Sequence, residues 1–225
     1  SELLPYRTIA RALDRVAAGG TEERPVTIQI APGTYDSEII LPPYVHLLGT
    51  GEEREFTRIR PLVFVKGDEP PIVTAAEGTR LENLTIEMPG NAPPGGLLFL
   101  IDGVQAEAHN VLFEGGDVED TTGILIQGIG SSSSLILDSQ ISNITTAVRA
   151  QNTGAIITRT VFREITGDAV VVGSDKGEDE ATLLLGEFAR IEETGLNGFR
   201  NVEGLFVRNE TSSPVLAQVN NWGFD

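Results

Sequence analysis

The chain has no cysteine, one tryptophan, one methionine, two histidines and two lysines among 225 residues. Without cysteine there is no disulfide, thiolate ligand or thiolate nucleophile, and the absence is compatible with a reducing or an oxidising compartment. His46 and His109 lie far apart in sequence, which excludes a histidine-rich metal centre. No apolar run approaches the length of a membrane-spanning helix, so no membrane insertion is expected. No signal peptide is present, and the start at Ser1 rather than Met fits removal of a leader or an upstream domain. Positive charge is scarce: 16 Lys and Arg stand against 33 Asp and Glu, for a net charge of −17. Nucleic acid is therefore excluded as a partner. An acidic polysaccharide would need a bound cation to bridge the charges. Lys66 and Lys176 are the only lysines, every other basic side chain being arginine or histidine.

What the chain does contain is a repeat. From about residue 80, short aliphatic runs recur in groups of three. The first runs are residues 97–101, 124–126, 147–148 and 169–172. The second are residues 135–137, 155–157, 182–185 and 205–207, and the third residues 84–86, 111–113, 140–141, 161–162 and 188–191. Starting points fall roughly 20 to 30 residues apart, the period of a solenoid. The runs are too short for helices and rich in Ile, Val, Leu and Phe, so each reads as a strand. Three short strands per turn, with Gly, Asn, Asp and Thr at the corners, describe one coil of a parallel β-helix. About seven or eight coils fit the length.

Residues 6–18 read as an amphipathic helix, with Ile9, Leu13 and Val16 on one face and Gly19-Gly20 ending it. An open β-helix end exposes unpaired backbone and apolar core, and this helix is expected to cap it. Residues 26–78 then hold the first coils and residues 79–225 the regular ones, in a single domain.

The stretch from Pro25 through Ala31-Pro-Gly-Thr-Tyr35, then Ile39-Ile-Leu-Pro42 and Val45-His-Leu-Leu-Gly-Thr-Gly51, resembles the opening of the pectin lyase-like superfamily of right-handed parallel β-helices. Asn220-Asn-Trp-Gly223 is similar to a phrase of bacterial β-helix repeat proteins. With the repeats, the resemblance covers nearly the whole chain. It implies an all-β solenoid: a right-handed, single-stranded parallel β-helix. It implies no particular activity, because the superfamily hosts lyases, hydrolases, esterases, epimerases and inert scaffolds. The Gln-Asp-Thr-Leu and Asp-Phe-Ile-Phe-Gly phrases that carry pectin methylesterase chemistry are absent. So are the polygalacturonase and alginate epimerase signatures.

Aligning the third runs places Ile86, Phe113, Ile141 and Phe162 in one inward column, and Asn83, Asn110 and Asp138 in a polar ladder at the preceding corner. The residues after the inward column are Glu87, Glu114, Ser142, Arg163 and Arg190, expected on the solvent face of the third sheet. Glu87 and Glu114 would sit on adjacent coils at about 5 Å, the separation used by a retaining glycosidase. Arg163 would supply the basic group of a lyase, with Ser142 and Arg190 as ligand-binding neighbours. No metal or other cofactor is expected. Oxygen-rich Asp117, Glu119 and Asp120 would be the ligands if Ca²⁺ were bound. The inserts at residues 89–96, 115–123 and 173–180 are expected at corners, where solenoids build binding faces.

The expected function is a non-catalytic structural or glycan- or partner-binding module of an exported, cell-surface or phage-like protein. One alternative is a polysaccharide lyase or glycoside hydrolase acting through Glu87, Glu114 and Arg163. The other is a scaffold that forms homo-oligomers.

Overall fold

A computed structural model describes residues 6–62, 70–116, 118–128, 133–173, 182–185, 197–217 and 220–222. Among the described residues, twenty strands and one α-helix wind into a parallel β-helix with three faces. The first face is a seven-stranded sheet running from Ile39–Ile40 to Val207–Asn209. The second and third faces form one thirteen-stranded sheet that bends at a corner. It is continuous there because Thr79–Glu87 and Ala106–Glu114 each run across both faces. The second face begins at Val26–Ile30 and the third at Gly33–Tyr35. All ladders are parallel, as coils stacked in one direction require.

The bend has a local cause. Asn83, Asn110, Asp138 and Arg159 occupy this corner with φ of 52°, 51°, 50° and 49°. This left-handed conformation suits Asn and Asp, whose short polar side chains hydrogen-bond locally. Asn83 donates to the carbonyls of Gly49 and Gly51, and Asn110 donates to Asn83 at 2.9 Å. Asp138 breaks the amide ladder but continues it as an ion pair, accepting from Arg159 at 2.6 and 2.8 Å. That pairing holds the Asp138 carboxyl below its usual range. Asn143, Glu164 and Asn201 adopt the same backbone, φ 52° each, at the next corner.

Inside, Ile86, Phe113, Ile141 and Phe162 stack in register and are wholly buried. Phe199 extends the column, its ring 4.7 Å from Phe162. Trp222 stacks on Phe199 at 4.9 Å and tilts against Phe206, covering the core at its last coil. Each buried side chain of this size contributes roughly 1.5–3 kcal/mol.

At the opposite end the helix spans Ile9–Arg15, shorter than the expected 6–18. Thr8 caps it by accepting from the Arg11 amide, and Val16 already leaves helical geometry. Ile9 is buried and Leu13 packs on the core, so the helix does cover the first coil. Two strand assignments change. Residues 205–207 belong to the first face, where Val207 pairs with Val170, and Leu216–Ala217 takes the expected place on the second. The third-face strand after Val161–Ile165 is Gly198–Val202, whereas residues 188–191 lie outside the described residues. The next-to-last coil is longer than its neighbours: 37 residues separate Glu164 from Asn201, against 21 between Asp138 and Arg159 and 23 between Asn197 and Asn220.

Candidate functional site

The outward row of the third face reads Glu87, Glu114, Ser142, Arg163 and Arg200 in register. Arg200 therefore stands where Arg190 was expected, and Arg190 lies outside the described residues. The row also begins one coil earlier. Ile59 pairs with Ile86, which puts Arg60 beside Glu87.

The two carboxylates are register partners but have separate surroundings. Glu87 accepts from Arg58 and from Arg60, each at 3.1 Å, and its side chain is 17 % exposed. Glu114 accepts from the Ser142 hydroxyl at 2.9 Å and from the Asn143 amide. Ser142 was expected to face solvent but is buried, because Glu114 and Gln140 close over it. Gln140 in turn accepts from Arg54 at 3.1 Å. Arg54 begins the single 3₁₀ turn Arg54–Phe56 that leads into the third-face strand Thr57–Ile59, and its backbone carbonyl accepts from Thr85. A continuous chain of donors and acceptors thus runs from Arg54 through Gln140 and Ser142 to Glu114.

Arg163 and Arg200 form the other end of the row. They are adjacent in register and exposed, and Arg163 has only a 3.4 Å contact with Glu164. Like charges directly opposite one another are unfavourable unless an anion or water separates them.

Beside this row, along the corner between the third and first faces, runs an open groove of about 630 Å³. Its floor is repetitive. Asn143, Glu164 and Asn201 contribute one rung from each of three coils, and Thr145, Thr166 and Glu203 another. Asn201 donates to Glu164 at 2.9 Å, which fixes both side chains. The wall is the insert at Val118, Glu119 and Asp120, tied to the preceding insert by the Gly95 amide and the Glu119 carbonyl. Glu119 and Asp120 are exposed, and Asp117 lies outside the described residues. Among the described residues no cluster of three or more acidic or histidine side chains is arranged to hold a metal.

Both histidines are on the outer second face, near one arginine. His46 pairs in register with Arg80, and Arg80 with Glu107. Arg80 approaches Glu107 at 2.7 Å, and His109 Nε2 lies 3.2 Å from the same carboxylate oxygen. Burial and then the Arg80 charge push the His109 pKa down, outweighing Glu107.

Arg58, Arg60, Asn143 and Asn201 were missed by sequence reasoning. A signal for one existed: Arg60 precedes Glu87 by 27 residues, a coil length within the repeat range. For Asn201 the long coil that precedes it hid it.

No family model matches the chain, and no curated protein matches it in sequence. Solved structures do match in shape. A pectin methylesterase from Erwinia chrysanthemi superposes with a TM-score of 0.54 at 12% identity, covering 98% of this chain and 90% of its own. A pectin methylesterase mutant in complex with a hexasaccharide gives 0.52 at 13% identity, covering 92% and 78%. The chain has the right-handed parallel β-helix fold of these pectin methylesterases.

Proposed function

We propose that the chain is a non-catalytic glycan-binding β-helix module, with the corner groove and the adjoining third-face row as its binding surface. The observation that carries the reading is the groove itself. It presents matched rungs of amide, carboxylate and hydroxyl groups on three successive coils, about 4.8 Å apart. Repeating polar rungs suit a repeating polymer rich in hydroxyls, and the volume falls in the range of small-molecule sites. Glu119, Asp120, Glu164 and Glu203 line it, which favours an uncharged glycan over an acidic one. A protein of the same fold crystallised with a hexasaccharide supports this class of ligand. The role fits an exported or cell-surface location.

The register pair Glu87 and Glu114 favours the enzyme alternative, with Arg163 as the basic group. Its weakness is that both carboxylates already accept two hydrogen bonds each, from Arg58 and Arg60 or from Ser142 and Asn143. Titration calorimetry against uncharged and uronic hexasaccharides tests the proposal. An uncharged hexasaccharide should bind, and Asn201→Gly, which keeps the left-handed backbone, should weaken it about tenfold through the lost hydrogen bonds. Absence of binding at millimolar ligand, or binding indifferent to that substitution, would refute the reading. Soluble fragments released from a polysaccharide panel, and lost in Glu114→Gln, would establish the enzyme instead.

A further inference from the structure

Among the described residues, the first strand of the second face, Val26–Ile30, has a neighbour on one side only. Val26 donates to the Tyr44 carbonyl and Ile30 accepts from the Thr50 amide, so Val26, Ile28 and Ile30 direct their backbone groups into the ladder. By alternation, the N–H and C=O groups of Thr27 and Gln29 point to the open edge. Both residues are exposed. The helix Ile9–Arg15 covers the core beside this edge without pairing to it. Between them lies a groove of about 470 Å³, with Tyr6, Ile9, Ala12 and Val16 on one side and residues 26–31 on the other.

An unpaired strand edge facing an apolar helix surface is the geometry by which proteins take up an extended peptide as an added strand. Main-chain hydrogen bonds hold the peptide, and alternate side chains enter the groove. Charge narrows the partner. The chain carries 33 acidic residues, yet none of the described ones lines this groove. Arg15 lines it, and Arg7 sits exposed between the lining residues Tyr6 and Thr8.

We propose that this edge binds an extended peptide of alternating apolar and acidic residues, which adds as a strand beside Val26–Ile30. The apolar side chains face the helix, and the carboxylates meet Arg7 and Arg15. The site is at the opposite end from the last coil and does not depend on the glycan reading.

The probe is a fluorescein-labelled octapeptide of alternating Val and Glu, titrated by anisotropy against the whole chain, with an alternating Val and Lys peptide as its counterpart. The Glu peptide should bind, and more tightly than the Lys peptide. Gln29→Pro removes an edge N–H without touching the ladder to Val45–Gly49, and proline is tolerated on strand edges. It should weaken binding about tenfold, the equivalent of one hydrogen bond, with the thermal melt unchanged. Arg15→Glu, at an exposed position, should reverse the preference between the two peptides. Hydrogen exchange should show the Thr27 and Gln29 amides fast in the free protein and slowed by the Glu peptide. No binding at millimolar peptide, or binding indifferent to Gln29→Pro, would overturn the proposal. So would amides already protected in the free protein. A dimer in sedimentation would then assign the edge to a second copy.

Discussion

At the corner between the second and third faces, substituting Asn110 should produce an inverted order of stability. At an ordinary strand position glycine is worse than alanine by roughly 0.5–1 kcal/mol, because it has more backbone freedom to lose. At Asn110 φ is 51°, and an L-residue without a local hydrogen bond incurs about 1–2 kcal/mol there. Both Asn110→Gly and Asn110→Ala also lose the 2.9 Å bond to Asn83, about 1 kcal/mol or less at this exposed position. The expected order is Asn first, Gly second and Ala last. Gly should exceed Ala by about 0.5–1 kcal/mol, the difference between the strain and the entropy terms. In a chain of this size that is a gap of roughly 1–4 °C in Tm. Urea unfolding with an unchanged slope gives the free energies directly. The control is Gln127, inside the first-face strand Thr122–Gln127, where the same two substitutions should rank Ala above Gly. If Ala equals or exceeds Gly at position 110, the left-handed corner is not what selects asparagine there.

Two further outcomes follow from the core and from the second face. Phe113 is wholly buried with Phe99 at 6.0 Å, so Phe113→Ala should lose about 3–5 kcal/mol by calorimetry or urea titration. A loss under about 1 kcal/mol would mean the column does not hold adjacent coils together. His109 has its folded pKa lowered by burial and by Arg80, with Glu107, Glu82 and Asp138 opposing. The unfolded chain therefore takes up the proton first. Stability from this group is complete above about pH 6.5 and falls as pH drops toward the folded pKa. His109→Gln should flatten that part of the Tm–pH curve, and an unaltered slope would remove His109 as its source.

The inward column was legible because the period carries it. Ile86, Phe113, Ile141 and Phe162 recur at coil spacing, and a slip of one residue would have sent all four to solvent. The asparagine corner was legible for the same reason, up to Asp138. Arg159 was not, because arginine carries no preference for left-handed backbone; strand register and the ion pair with Asp138 place it there. The row beginning at Glu87 keeps the expected register as far as Arg163, although Ser142 is buried rather than facing solvent. It failed at Arg190 because the next-to-last coil takes 37 residues to return to the same corner. What surrounds the carboxylates was beyond sequence reading altogether. Arg58, Arg60 and Asn143 reach Glu87 and Glu114 across coils, and Arg54 reaches Gln140 from 86 positions away. Contacts of that kind are set by the stacking of coils and leave no local pattern.

The lone tryptophan stands at the last coil, against Phe199 and Phe206. In a solenoid each coil touches only its neighbours, so the two ends need not melt together. The emission of Trp222 is therefore a thermometer for one end of the rod, blind to events at the helix-capped end. Circular dichroism sums every coil. The gap between the two melting curves would measure how far a disturbance at one end travels along the stack.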